Sequence, residues 1–148
     1  MVVREFSEKY IDEAVELIDE YRSYYGFNRD HDKTKQFIVD LVEKRENKLF
    51  LAIDEVTDSV MGFVNLYPCY STLALKRLWI LNDIGVGRMY RGQGVSKALI
   101  EKVISFARET GAVRIELKTD KANQRALALY KSIGFQIDND NVYYRVPV

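Results

Sequence analysis

Asp83-Ile84-Gly85-Val86-Gly87-Arg88-Met89-Tyr90-Arg91-Gly92-Gln93-Gly94-Val95-Ser96-Lys97 is the stretch on which the reading of this 148-residue chain turns. A β-rich run from Arg77 to Val86 leads into it, and an amphipathic helical pattern from Gly92 to Thr110 leads out, closed by Gly111 where a helix C-terminus expects glycine. Between strand and helix, Gly92 and Gly94 let a backbone approach a ligand, and the free N–H groups and dipole of the helix start favour an anion. Ser96 adds a hydroxyl, and Arg91 and Lys97 add charge, a set that suits a diphosphate better than a single carboxylate. The plain alternative is a glycine-rich turn with a solvated Arg and Lys. A Walker A loop fails, because Gly92 is followed by Gln93 and not by Lys-Ser or Lys-Thr. A dinucleotide fingerprint fits poorly, since the third glycine is missing and several strands precede the loop.

Working outward, Val2 to Phe6 reads as a strand, and Ser7 caps a helix with the apolar stripe Ile11, Ala14, Val15, Ile18 and Tyr21. Tyr24 to Arg29 breaks that helix. A second runs from Asp32 to Glu46, with Phe37, Ile38, Leu41 and Val42 on its apolar side. Leu49 to Ile53 and Val60 to Leu66 form a hairpin around Asp54 to Ser59, and Pro68 is expected to end the second run. Beyond the central helix come a strand at Val113 to Leu117, a helix at Asn123 to Ile133, and one or two strands from Phe135 onward. The expected order is β-α-α-β-β-β-α-β-α-β-β, an α/β (α+β) fold in which one parallel crossover joins a mostly antiparallel sheet with helices on both faces.

Lys plus Arg and Asp plus Glu both number 22, so no net field draws the chain to nucleic acid or an acidic membrane, and small-molecule partners gain weight. The single cysteine, Cys69, excludes an internal disulfide and a cysteine-based zinc cluster, and reads as a small buried hydrophobe or inert thiol. No apolar run approaches the length of a bilayer span and the start, Met1 to Phe6, has no basic region followed by an apolar stretch, so a single domain over residues 1–148 in the cytoplasm is expected.

Asn82-Asp83-Ile84-Gly85-Val86, then Arg91-x-x-Gly94-x-Ser96, then Asn123 and Leu129-Tyr130-x-x-x-Gly134-Phe135 together resemble the GCN5-related N-acetyltransferases, closely from about Val60 onward. Leu66 to Ser71 and Leu78 to Asp83 resemble a subgroup that contains histone, polyamine and D-amino-acid N-acetyltransferases. The resemblance implies a central sheet of six to seven strands flanked by about four helices, acetyl-CoA as cosubstrate, and no metal. It implies direct attack of an amine on the thioester in a ternary complex, the amine belonging to a small molecule such as a polyamine or amino acid, or to a protein. A non-catalytic acyl-CoA sensor on the same fold is the alternative, and a homodimer is expected.

By the same resemblance, the coenzyme diphosphate falls to Arg91, Gly92, Gln93, Gly94, Val95, Ser96 and Lys97, the pantetheine arm to the backbone of Ile84, Gly85 and Val86, and a further contact to Asn123, whose residue type also suits a helix cap, a role compatible with the first. Ser96 stands where the family has Gly or Ala. Gly85 is expected to relieve crowding where the arm passes, or to mark a strand bulge. Tyr130 falls near the sulfur, where a phenol can protonate a departing thiolate. The family base position holds Asn82, which cannot take a proton. Asp83 is the nearest carboxylate, with Glu116 a weaker candidate. Because strand side chains alternate, only one of Asn82 and Asp83 is expected to face the cleft. Tyr24, Tyr25, Phe27, His31, Tyr67, Tyr70 and Trp79 fall where the acceptor is selected, most of them as packing residues, and Tyr24, Tyr25, Tyr67 and Asn82 are the candidate acceptor contacts.

Overall fold

The computed structural model describes residues 1–148 as two compact units, Met1–Lys118 and Thr119–Val148. The first contains β1 (Val2–Glu5), α1 (Ile11–Tyr24), α2 (His31–Glu43), β2 (Lys48–Asp54), β3 (Ser59–Ser71), β4 (Lys76–Val86), α3 (Val95–Glu109) and β5 (Ile115–Leu117). The second contains α4 (Gln124–Ile133). The sheet runs β1-β2-β3-β4-β5, antiparallel through β4, with β5 parallel to β4 as the crossover through α3 requires.

Alternation along β2 sorts the core. Leu49, Leu51 and Ile53 pack with Phe63 against Ala14 and Ile18 of α1 and Ile38 of α2. Phe50 points the other way, its ring 5.2 Å from that of Phe106 on α3, whose Val95, Leu99, Ile100 and Val103 are buried. Helices therefore cover both faces, as the apolar periodicities imply.

Several expectations need correction. The sheet has five strands, not six to seven, because residues 135–148 form none. Asp138 explains part of this: its carboxylate accepts from Asp140 N–H at 2.9 Å and Asn141 Nδ2 at 2.6 Å, local bonds that compete with a ladder. Pro68 does not end β3, which continues to Ser71 with Pro68 opposite Trp79. The last β2 partner is Lys48 opposite Leu66, so at Pro68 one side of the strand is already an edge and a missing N–H breaks no ladder there. Phe37 is 58% exposed, and Thr34 and Ile38 carry the buried side of α2 instead. Ser7 starts a 3₁₀ turn at Glu8–Tyr10, not α1, and its side chain makes no capping bond. Cys69 is exposed, because it sits on the part of β3 that has outrun β2. No helix is long and apolar enough to cross a membrane.

The α1–α2 connection is tied by a buried carboxylate. Asp19, 2% exposed, accepts from Thr34 Oγ1 at 2.8 Å, Arg22 Nη1 at 2.9 Å and Asp30 N–H at 2.9 Å, while Asp30 caps α2 through Lys33 N–H. Burial pushes Asp19 up, but the bonds from Thr34, Asp30 and Arg22 outweigh it and hold the carboxyl below its ordinary 3.8. A depressed folded pKa gives stability that is present above the unfolded value and lost as pH falls through the lower folded one. Asp19→Asn is therefore expected to cost about 2 kcal/mol in urea unfolding at neutral pH, a gap that narrows as pH falls below the ordinary 3.8. A gap that stays constant with pH contradicts this role.

Candidate active site

The turn between β4 and α3 is built as an anion cradle. Gly92 and Gly94 sit at φ +74° and +78°, a region that β-carbons disfavour, and a Cβ at either would meet no atom within 4 Å, so the space above them is open. Gly94 is the N-cap of α3 and offers no side chain to satisfy the helix start. The first helical bond is Ala98 N–H to Gly94 O at 3.0 Å, which leaves the N–H groups of Val95, Ser96 and Lys97 without intrahelical acceptors. The first turns of α1 and α2 carry Asp12, Glu13 and Asp32, but that of α3 carries no acid. Its dipole is unneutralised from within. Gln93 turns inward, Nε2 donating to Met89 O at 2.9 Å, and shapes the loop.

The strand before the loop has an open edge. β5 pairs with β4 only at Trp79, Ile80 and Leu81, so Asn82 to Val86 have β3 on one side and no strand partner on the other. Gly87 N–H donates to Met61 O at 2.9 Å. Ladder alternation then turns Gly85 toward Phe63, and turns the N–H and C=O of Ile84 and Val86 toward the open edge. Gly85 contributes by its missing side chain: a Cβ there would lie 2.6 Å from Phe63 Cε1. The crowding it relieves is thus internal to the sheet, and Phe63 in turn packs edge-on against Tyr21 of α1 at 5.6 Å.

Asn82 and Asp83 do not face opposite ways. Asn65 pairs with Asp83 and Leu66 with Leu81, so Asn82 is the additional residue of a β-bulge that breaks alternation. Both side chains meet, Asn82 Nδ2 donating to Asp83 Oδ2 at 3.1 Å. Asn65 Nδ2 donates to the same oxygen at 3.1 Å, and Asn47 Nδ2 donates to Asn65 Oδ1 at 2.9 Å. A directed amide chain thus runs through the sheet to one oxygen of Asp83, while Oδ1 accepts no hydrogen bond. Asn65 is 3% exposed, and its signal in the sequence was a lone amide inside the apolar run Val60–Leu66. Tyr67, half-buried on the same face of β3, has its phenol pushed up by burial; the charge on Asp83 adds to this and a hydrogen bond from Asn65 opposes it.

The other candidates scatter. Trp79 is a core residue, 4% exposed, with its indole N–H on Thr110 Oγ1 at 2.9 Å. Tyr25, Phe27 and Tyr70 are exposed. Tyr24 comes to the loop, its phenol accepting from Arg91 Nη1 at 3.2 Å. His31 is the first residue of α2, beside Asp12 and Asp32. Glu116 is occupied by Arg114 at 2.6 Å. In the second unit, Asn123 caps α4 by accepting from Ala126 N–H at 3.1 Å, and the Tyr130 ring packs on Phe135 at 5.7 Å, across the turn that Gly134 makes at φ +114°.

The sequence profile of the Acetyltransferase (GNAT) family matches residues 14–135. The chain belongs to this family. Its GNAT relatives include an N-acetyltransferase of Bacillus subtilis, YhfO, 30% identical over 132 residues and covering 89% of this chain and 87% of the relative. A probable acetyltransferase of Haemophilus influenzae is 29% identical over 128 residues, covering 86% and 85%. The crystal structure of a probable acetyltransferase superimposes with a TM-score of 0.95 at 34% identity, covering 100% of this chain and 98% of that one.

GNAT acetyltransferases use acetyl-CoA, and the residues present fit it. An uncapped helix start without acids, two left-handed glycines under open space, and the exposed Arg91 and Lys97 match a diphosphate, while the unpaired backbone of Ile84 and Val86 matches an amide-bearing arm. No three His, Cys, Asp or Glu side chains come together as metal ligands would.

Proposed function

We propose that this N-acetyltransferase moves the acetyl group of acetyl-CoA to a primary amine of a small molecule by direct attack in a ternary complex, with Asp83 receiving the amine proton. The observation that carries the reading is the Asp83 carboxylate, fixed through Oδ2 by Asn65 and Asn82 and open at Oδ1, on a bulge next to the unpaired edge of β4. A lysine-like ammonium has a pKa of about 10, so an acceptor arrives charged and must lose a proton before its lone pair can attack. In this reading Oδ1 accepts from that ammonium, directly or through one water. As the C–N bond forms and the C–S bond breaks, the thiolate needs a proton. Tyr130 is the proposed donor, a role that rests on the family resemblance, and solvent returns the proton to its phenolate.

The backbone N–H groups of Ile84 and Val86 are the proposed contacts of the arm and thioester oxygen, and Arg91 to Lys97 those of the diphosphate. Polyamines and amino acids are the favoured acceptors.

Thiol release from acetyl-CoA tests this, measured without acceptor and with polyamines, amino acids, aminoglycosides and lysine peptides. Release that accelerates with one class of amine, and slows about tenfold to a hundredfold in Tyr130→Phe at unchanged coenzyme affinity, is expected. Tight coenzyme binding with no amine-dependent release identifies a sensor instead.

A further inference from the structure

The end of α1 touches the diphosphate loop at two points. Tyr24 accepts from Arg91 Nη1 at 3.2 Å, and the Arg91 guanidinium carbon lies 5.5 Å from the centre of the Tyr24 ring. One turn earlier, Glu20 pairs with Arg88 at 3.2 Å. Glu20 and Tyr24 share a helix face, and Arg88 and Arg91 bracket the 3₁₀ turn that enters the cradle. Arg91 is exposed and would otherwise sample many rotamers, which a ligand must freeze on binding. The Arg91 hydrogen bond, then its charge, draws the Tyr24 phenol below its ordinary value.

We infer that Tyr24 is a positioning residue for the coenzyme: it holds the Arg91 guanidinium over its ring, ready for the diphosphate, and does not belong to the acceptor pocket. The geometry separates positioning from blocking. One guanidinium N–H goes to the phenol, and the rest of the fork stays available for phosphate oxygens. Glu20 holds the neighbouring Arg88 from the same helix face, so the α1 end braces the loop at both ends of the turn. Tyr24 is 60% exposed and its replacement leaves the core intact.

The inference rests on the coenzyme reading of the loop, and the test keeps the two apart. Titration calorimetry with acetyl-CoA, and competition binding with S-acetylpantetheine, which lacks the diphosphate, are run on the wild type, Tyr24→Phe, Tyr24→Leu, Arg91→Ala and the Tyr24→Leu/Arg91→Ala double variant. Tyr24→Leu is expected to weaken acetyl-CoA about tenfold, Tyr24→Phe, which keeps the ring, about threefold, and neither to change S-acetylpantetheine. In the Arg91→Ala background Tyr24→Leu adds no further loss, a coupling that a merely structural role would not produce. Unchanged or tighter acetyl-CoA binding in Tyr24→Leu, equal losses for both ligands, or the same loss in the Arg91→Ala background overturns the inference and leaves the coenzyme site standing. Arg91→Ala with wild-type affinity overturns the reading of the loop itself, and the inference with it.

Discussion

Asp83→Asn is expected to slow acetyl transfer by about a hundredfold or more while acetyl-CoA affinity stays unchanged. The replacement is isosteric. The carbonyl oxygen of the introduced amide still accepts from Asn65 and Asn82, whose Nδ2 atoms lie 3.1 Å from Asp83 Oδ2 in the wild type, so the bulge and the sheet behind it are kept. What disappears is the capacity of the second oxygen to take a proton from an ammonium. The loss therefore falls on turnover with the amine and not on coenzyme binding, because the diphosphate cradle begins beyond Gly87. Steady-state rates at saturating acetyl-CoA, beside a coenzyme titration, separate the two. Wild-type turnover in Asp83→Asn removes Asp83 from the chemistry.

Gly94→Val is expected to weaken acetyl-CoA by about a hundredfold and to cost about 1–3 kcal/mol in stability. Gly94 sits at φ +78°, where a β-branched residue is strained, and relaxing that strain moves the N-cap from which α3 starts. A Cβ would meet no protein atom within 4 Å. The side chain therefore projects into the space that the diphosphate needs, and the binding loss comes in addition to the stability loss. Calorimetric titration with a parallel thermal melt distinguishes a filled cradle from an unfolded one. Affinity near that of the wild type places the diphosphate elsewhere.

Much of this is legible in the sequence. Gly92 and Gly94 between a β-rich run and an amphipathic run could only be a strand-to-helix turn, and the crossover from β4 through α3 to a parallel β5 followed from it. The cap at Asn123 is likewise a local property, written in a single residue. The errors fell where a non-local partner decides. Pro68 was expected to stop β3, but the strand next to it had already ended, a fact about β2 and not about Pro68. The tail was expected to add strands on its apolar residues alone, and Asp138 spends its carboxylate on its own neighbours.

The site divides the same way. The loop residues are contiguous and were read together. The support of Asp83 is spread over Asn47, Asn65 and Asn82, joined only by the pairing of β3 with β4 and by a bulge, and register cannot be read one residue at a time. Strict alternation predicted that Asn82 and Asp83 diverge. One additional residue in the ladder reverses this and gives the carboxylate its second donor. Tyr24 was expected among acceptor contacts because it falls in the segment between the first two helices, and only the folded chain shows Arg91 beside it.

The central claim is that an amine receives the acetyl group at this edge of β4. Its most direct test is product analysis by mass spectrometry after incubation of the wild-type protein with acetyl-CoA and the most active amine, with free thiol counted in the same sample. The account predicts an N-acetylated amine formed in equal amount to the thiol released. Thiol released without acetylated amine, or acetyl found on the protein in place of the amine, contradicts it.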